Sequence, residues 1–271
     1  MADDAPLRVA GGHSVVRAME RPVLWQFRFS HYNEKARWAL DWKGIPHVRR
    51  SLLPALHVPR VLWLTGQKSV PVLVLDGRAI SDSTRIIETL ERLHPDPPLY
   101  PPDAAARRRA LELEEYFDVE LGPHIRRAVF HVLLPDRDLS VALLTLGFGS
   151  GTRRLYGALF PAIRAVMRMD MRIDAAGATR SWEKVGAALD RIEAELQPSG
   201  YLVGDRFGVA DLTAAALLSP LVQPPEFSYA LPAWPAGALS AFRASVASRR
   251  GFRWAEEMYH RHRGLSAEVP S

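Results

Sequence analysis

Cysteine is missing altogether from this chain of 271 residues. Its absence excludes disulfide frameworks, cysteine zinc sites, a protein thiol nucleophile and CxxC redox chemistry. Any reactive thiol must arrive on a ligand. Long apolar runs are missing too: no stretch reaches the roughly 18 uninterrupted apolar residues of a bilayer-spanning helix. Met1–Glu20 is small, polar and mixed in charge, without the apolar core of a secretory signal, so a cytoplasmic location is expected. No GxGxxG follows a strand pattern and no Walker-type GxxxxGK occurs, which removes the sequence grounds for a nucleotide cofactor. His260 and His262 fall on different helix faces with no third ligand near them, so no metal site is expected.

Charge of one sign is only mildly in excess. Lys plus Arg total 35 against 30 for Asp plus Glu, a net +5, with no basic stretch interleaved with aromatics. That balance would help attract anionic ligands but does not point to nucleic acid. The run Arg107-Arg108-Arg109, followed by Glu112, Glu114 and Glu115 at helical spacing, reads as a solvated face. With 48% hydrophobic and 24% charged residues, the composition is that of a soluble folded protein of one large or two modest domains.

Two halves differ in texture. Val23–Phe27 is a short strand-type run, followed by Ser30 and a helical segment, Glu34–Lys43, that Gly44 and Pro46 stop. His47–Leu52 alternates weakly as a second strand, and Val58–Leu64 offers a short helix. Val70–Leu75 reads as a buried strand, and Asp76-Gly77 turns it into Arg78-Ala79-Ile80. Ser81-Asp82-Ser83 then caps a helix with an apolar stripe at Ile86, Ile87, Leu90 and Leu93. The order is βαβαββα.

Five prolines between Pro95 and Pro102 mark a linker. Beyond it the patterns are helical, over roughly 104–121, 124–134, 152–170, 180–196, 209–222, 236–249 and 251–262, with no recurring strand signal. The break Gly147-Phe148-Gly149-Ser150-Gly151 suggests a loop or lid inside 136–180. The expected organisation is a flexible 1–20, an α/β domain at 21–94, the linker 95–102, an all-helical domain at 103–264 and a loose tail at 265–271.

Three stretches in this order resemble the cytosolic glutathione transferases. Phe29-Ser30-His31-Tyr32-Asn33-Glu34-Lys35-Ala36-Arg37 is similar to the family's Ser-Pro-Tyr-x-x-Lys-x-Arg start of the first helix. Val70-Pro71-Val72-Leu73 with Asp82-Ser83-Thr84-Arg85-Ile86 resembles its Val-Pro-x-Leu and Glu-Ser-x-x-Ile pair. Tyr201–Asp211 resembles its Leu-Val-Gly-Asp loop and following Ala-Asp. The resemblance implies a thioredoxin-like first domain, a helical-bundle second domain, glutathione as co-substrate, detoxification chemistry and a homodimer.

Carried over residue by residue, the resemblance makes Ser30 the group that stabilises the glutathione thiolate. The strand-to-helix position agrees, because a hydroxyl there sits beside unpaired N–H groups and the positive helix end. Val70, before Pro71 in a cis peptide, would pair its backbone with the cysteinyl part, and Asp82 and Ser83 would hold the γ-glutamyl end. His31 stands where the family has Pro, and Asn33 where thiol-transferring members carry Cys or a small residue. Both, with Tyr32, are accessory candidates, and Asp82 in place of the longer Glu shortens the reach to the ligand amine. Gly208 stands where Ser or Thr is usual, which leaves Asp211 half of a reciprocal helix cap. Tyr116, Phe117, His124 and Phe130, with Leu143, Leu144, Phe148, Tyr156, Phe160 and Met167, are candidates for an apolar acceptor pocket or for core. The function so implied is attack of glutathione on an apolar electrophile; a non-catalytic ligand-binding or protein-interaction module of the same fold is the alternative.

Overall fold

The computed structural model describes residues 21–234 and 237–270; the flexible segment expected at 1–20 lies outside them. Four strands of four residues each, β1 (Val23–Gln26), β2 (Val48–Ser51), β3 (Val72–Leu75) and β4 (Arg78–Ser81), form one sheet in the order β2-β1-β3-β4. β1 and β2 are parallel, joined by the crossover helix α1 (His31–Trp42), whereas β3 runs antiparallel to both β1 and β4. The Asp76-Gly77 turn closes the β3–β4 hairpin with both residues at positive φ, as a tight two-residue connection requires. Helix α2 (Val58–Thr65) follows β2, and α3 (Ser83–Leu93) follows β4. This is a thioredoxin-like domain in the βαβαββα order.

The rest is helical: α4 (Ala104–Tyr116), a π-helical turn (Phe117–Leu121), α5 (Gly122–Leu133), α6 (Arg137–Leu144), α7 (Ser150–Asp170), α8 (Ala175–Glu195), α9 (Val209–Val222), α10 (Ala238–Val246) and α11 (Arg250–His262). Every residue of α9 is buried, and it packs against α1, α4, α5 and α11, so it is the axis of the second half and joins it to the first. Helices buried all round are apolar on every face, and Val209–Val222 is mostly so, with Asp211, Thr213 and Ser219 as its buried polar residues. Its start keeps one side of the reciprocal cap: Asp211 accepts from Gly208 N (2.9 Å) and Leu202 N (2.8 Å). A side chain at Gly208 would press on the Leu99 carbonyl, 3.1 Å from its Cβ.

Three expectations are refined. The 104–121 helix gives way to the π-helical turn at Phe117. The break expected at 147–151 falls at 145–149, between α7 and a helix the sequence patterns did not mark, α6, capped by Asp136, which accepts from Leu139 N at 3.0 Å. The tail is not loose up to residue 270. Ala267 N donates to Asp41 Oδ1, and the chain bonds both backbone groups of His47, which receives from Val269 N and donates to Ala267 O. No helix among the described residues is long and apolar enough to cross a membrane.

Candidate functional site

Strand register brings the sequence-predicted residues to one edge of the sheet. Trp25 pairs with Val72 and Val72 with Ser81, so the end of β1, the start of β3 and the end of β4 lie side by side. Ser30, Val70 and the pair Asp82-Ser83 extend from those three ends. The Val70–Pro71 peptide is cis.

Ser30 is the N-cap of α1. Its Oγ accepts from Asn33 Nδ2 at 2.7 Å and from Asn33 N at 3.4 Å, while Asn33 Oδ1 accepts from Phe27 N at 3.2 Å. A hydroxyl has one hydrogen and two acceptor lone pairs. With two donors from Asn33 directed at the oxygen, the hydrogen is left to point elsewhere, and Ser30 lines a cavity of about 220 Å³. Arg37 fixes the loop that presents Ser30. Fully buried, it donates to the carbonyls of Phe27, Arg28 and Ser30 and to Gln26 Oε1 and Glu34 Oε2.

His31 and Tyr32 are turned into the domain junction. His31 Nε2 donates to the Gly122 carbonyl (3.0 Å). Burial, reinforced by Arg126, holds the imidazole down at about 3, so it is neutral near neutral pH. The Tyr32 hydroxyl donates to the Asp118 carbonyl (2.8 Å), and burial pushes its pKa far above the ordinary phenol. Lys35 completes the junction: Nζ bonds Glu114 Oε1 (2.8 Å), Asp118 Oδ2 (2.6 Å) and Thr84 Oγ1 (2.8 Å). Burial works against this ammonium, and the two carboxylates outweigh it. Three side chains of α1 thus grip the π-helical turn and its flanks, through Asp118 in the turn, Glu114 before it and Gly122 after it.

Asp82 is exposed and caps α3, its Oδ1 accepting from Thr84 N (2.9 Å) and Arg85 N (3.3 Å); its backbone stands at φ 77°, ψ 132°. Ser83 is buried. Neither lines the cavity with Ser30, although the register sets them beside Val70.

The cavity lies between the two halves. Phe27, Phe29 and the start of α1 form one wall; Arg126 and Phe130 on α5, with Val166, Met167 and Asp170 on α7, form the other. Of the acceptor-pocket candidates, Phe130 and Met167 are on this wall. Phe117 is fully buried in the core, Tyr116 packs edge-on against it beneath Arg191, and His124 pairs with Ser181 on α8. Leu143, Leu144, Tyr156 and Phe160 are also core, and Phe148 lies off the cavity in the α6–α7 break. Helical phase decides this: Gly122, Arg126 and Phe130 share one α5 face, and His124 lies off it. The sequence reading missed Arg126, whose signal was its four-residue spacing from both neighbours. Among the described residues no group of three or more His, Asp or Glu could hold a metal ion.

Comparison with known proteins adds the family. Residues 24–98 match the model for the glutathione S-transferase N-terminal domain, and residues 175–244 the model for the C-terminal domain. The chain belongs to the glutathione S-transferase-like superfamily. Among curated relatives, a probable maleylacetoacetate isomerase of Caenorhabditis elegans is 33% identical over 93 residues, 34% of this chain and 44% of that protein. Glutathione S-transferase U4 of Arabidopsis thaliana is 28% identical over 101 residues, 37% of this chain and 45% of that protein. The matched stretch thus spans less than half the length of either relative. A glutathione S-transferase from Methylobacterium radiotolerans, solved with glutathione sulfonate, aligns with a TM-score of 0.53 at 26% identity, over 86% of this chain and 93% of that one. The helices α6 and α7 fall between the two matched regions.

Proposed function

We propose that the protein is a glutathione-dependent transferase in which Ser30 stabilises the thiolate of bound glutathione for attack on an electrophile in the interdomain cavity. The observation that carries this reading is the Ser30 hydroxyl at the cavity wall, with Asn33 occupying its acceptor side and its hydrogen available to an anion. The α1 N-terminus adds a positive end. A hydrogen bond and a helix N-terminus both favour a thiolate over a thiol of pKa about 8.5, which raises the nucleophile concentration at neutral pH. The Val70 backbone would pair with the cysteinyl unit, and Asp82, held in a backbone conformation that costs on the order of 1–3 kcal/mol, would face the γ-glutamyl amine. His31, Tyr32 and Asn33 act on this site through the protein: the first two seat α1 on α5, and the third orients Ser30.

The test is titration of the protein with glutathione by calorimetry, with ultraviolet detection of the bound thiolate, for wild type and Ser30→Ala. Saturable binding with a thiolate signal that is lost in Ser30→Ala is expected. Absence of binding at millimolar glutathione overturns the proposal. Binding without a thiolate signal or turnover favours the non-catalytic module.

A further inference from the structure

Arg126, at the wall of the cavity, is a cation without a counter-ion among the described residues. It projects from α5 between Gly122, which seats His31 and Tyr32, and Phe130, whose ring stands edge-on to Phe29 with centroids 6.1 Å apart. Its Nε is sealed from solvent with no hydrogen-bond partner, and among the described residues its guanidinium has no ion pair. The other charges lining the cavity are Lys68 and Asp170, which pair with each other at the exposed rim. Of the titratable rings on the lining, His31 is neutral and supplies no counter-charge, the Tyr32 phenol is held well above its ordinary value by burial, and His57 is held below its own by burial. A guanidinium facing a cavity with unfilled donors favours a planar anion that accepts two N–H bonds.

We infer that Arg126 binds a carboxylate on the electrophilic acceptor, so that the substrate class is an electrophilic carboxylic acid with an apolar body rather than a wholly apolar electrophile. The inference rests on the transferase reading above and narrows its substrate. The apolar body would sit against Phe27, Phe29 and Phe130, with the carboxylate on Arg126 and the reacting carbon toward Ser30. With an activated-alkene acid such as the probe below, the glutathione thiolate, whose proton has gone to solvent, forms a C–S bond to the alkene carbon. The alkene π pair moves onto the conjugated carbonyl as an enolate, which then takes a proton from water. Thiol and acceptor combine with nothing left over and no oxidant or reductant. Fixing the acceptor by its anion raises the effective concentration of the reacting carbon at sulfur.

The probe pair is trans-benzoylacrylate and its neutral methyl ester, assayed with glutathione for wild type, Arg126→Met and Arg126→Lys. Losing a charged hydrogen bond of about 1.5–3 kcal/mol corresponds to roughly a 10- to 100-fold change. The expected result is a loss of that size in kcat/KM for the acid in Arg126→Met, partial retention in Arg126→Lys, and little change for the ester or in the KM for glutathione. Equal losses for acid and ester overturn the inference. So does a raised KM for glutathione, which would place Arg126 on a glutathione carboxylate. If neither probe is turned over by wild type although glutathione binds, calorimetry of the glutathione-loaded protein with the saturated analogue benzoylpropionate replaces the kinetic readout. Binding that weakens in Arg126→Met then supports the carboxylate site, and no binding overturns it; the transferase reading stands or falls separately, on glutathione binding and the thiolate signal.

Discussion

At the residue scale, two histidines tie stability to acidity. His31 donates Nε2–H to the Gly122 carbonyl, and burial with Arg126 holds it down at about 3. His47 must carry its hydrogen on Nδ1, which bonds the Ile45 carbonyl, because Nε2 accepts from Arg49 Nε (2.9 Å); burial and Arg49 hold it at about 4. Both rings are neutral when folded and take a proton near 6.5 when unfolded, so protons favour the unfolded chain between those values. Stability contributed by both is complete above about pH 6.5 and falls below it, by about 1.4 kcal/mol per histidine for each pH unit, until the folded pKa is reached. Tm measured from pH 7.5 to 5 should decline from about 6.5 downward, and His47→Gln should give a shallower decline; an unchanged slope refutes the assignment. Glu34 acts in a separate, more acidic window. Burial alone would raise its carboxyl, but Arg263 and Arg37 hold it at about 2, so its contribution is lost only as pH falls below about 4.5.

At the scale of elements, the fit of α5 on α1 depends on one missing side chain. A Cβ at Gly122 would overlap the Tyr32 hydroxyl and ring carbon, the same tyrosine that bonds the Asp118 carbonyl. Gly122→Ala should therefore destabilise by roughly 1–3 kcal/mol, as overpacking does. Because the closest atom is the hydroxyl, Tyr32→Phe should relieve part of the clash, and the double variant should lose less than the sum of the singles. Denaturant unfolding of the three proteins measures this, and strict additivity would show that the two residues do not meet. The motif Ser30-His31-Tyr32 was legible as a helix start, but the destination of each side chain was not. His31 and Tyr32 serve the junction because the π-helical turn presents carbonyls to them, and nothing in Phe117–Leu121 taken alone announces that turn.

At the scale of the whole molecule, the end of the described chain reaches the loop that presents Ser30. Arg263, just after α11, donates to Glu34 Oε1 (2.6 Å) and Asp41 Oδ2 (2.9 Å), both carboxylates being sealed from solvent. Glu34 in turn bonds Arg37, which holds the carbonyls of residues 27, 28 and 30. Removing one partner of a buried pair leaves an uncompensated charge, at a cost of about 3–5 kcal/mol. Arg263→Met should lose stability of that order in urea unfolding and should also raise the KM for glutathione, since the Ser30 loop loses its anchor; Arg263→Lys should recover part of both. A loss under about 1 kcal/mol would mean that the C-terminal segment rests on the first domain passively.

The amino-acid sequence by itself determined the class of the protein and most of its elements. Zero cysteine meant that any reactive thiol must arrive on a ligand, Asp76-Gly77 set the hairpin, Asp82 set the start of α3, and the helical pattern at 209–222 gave α9, though not its burial. These features are local, each decided by a few adjacent residues and their backbone preferences. Only the tertiary structure decided that Phe117 and Tyr156 are core, that the tail is pinned through Asp41 and His47, and that Arg126 faces the cavity beside Ser30 and His31. Those outcomes depend on pairs 86 to 229 residues apart, such as Tyr32 with Asp118 and Arg263 with Glu34. Burial makes such pairs strong by excluding water, and the same burial hides them from any reading of neighbours along the chain.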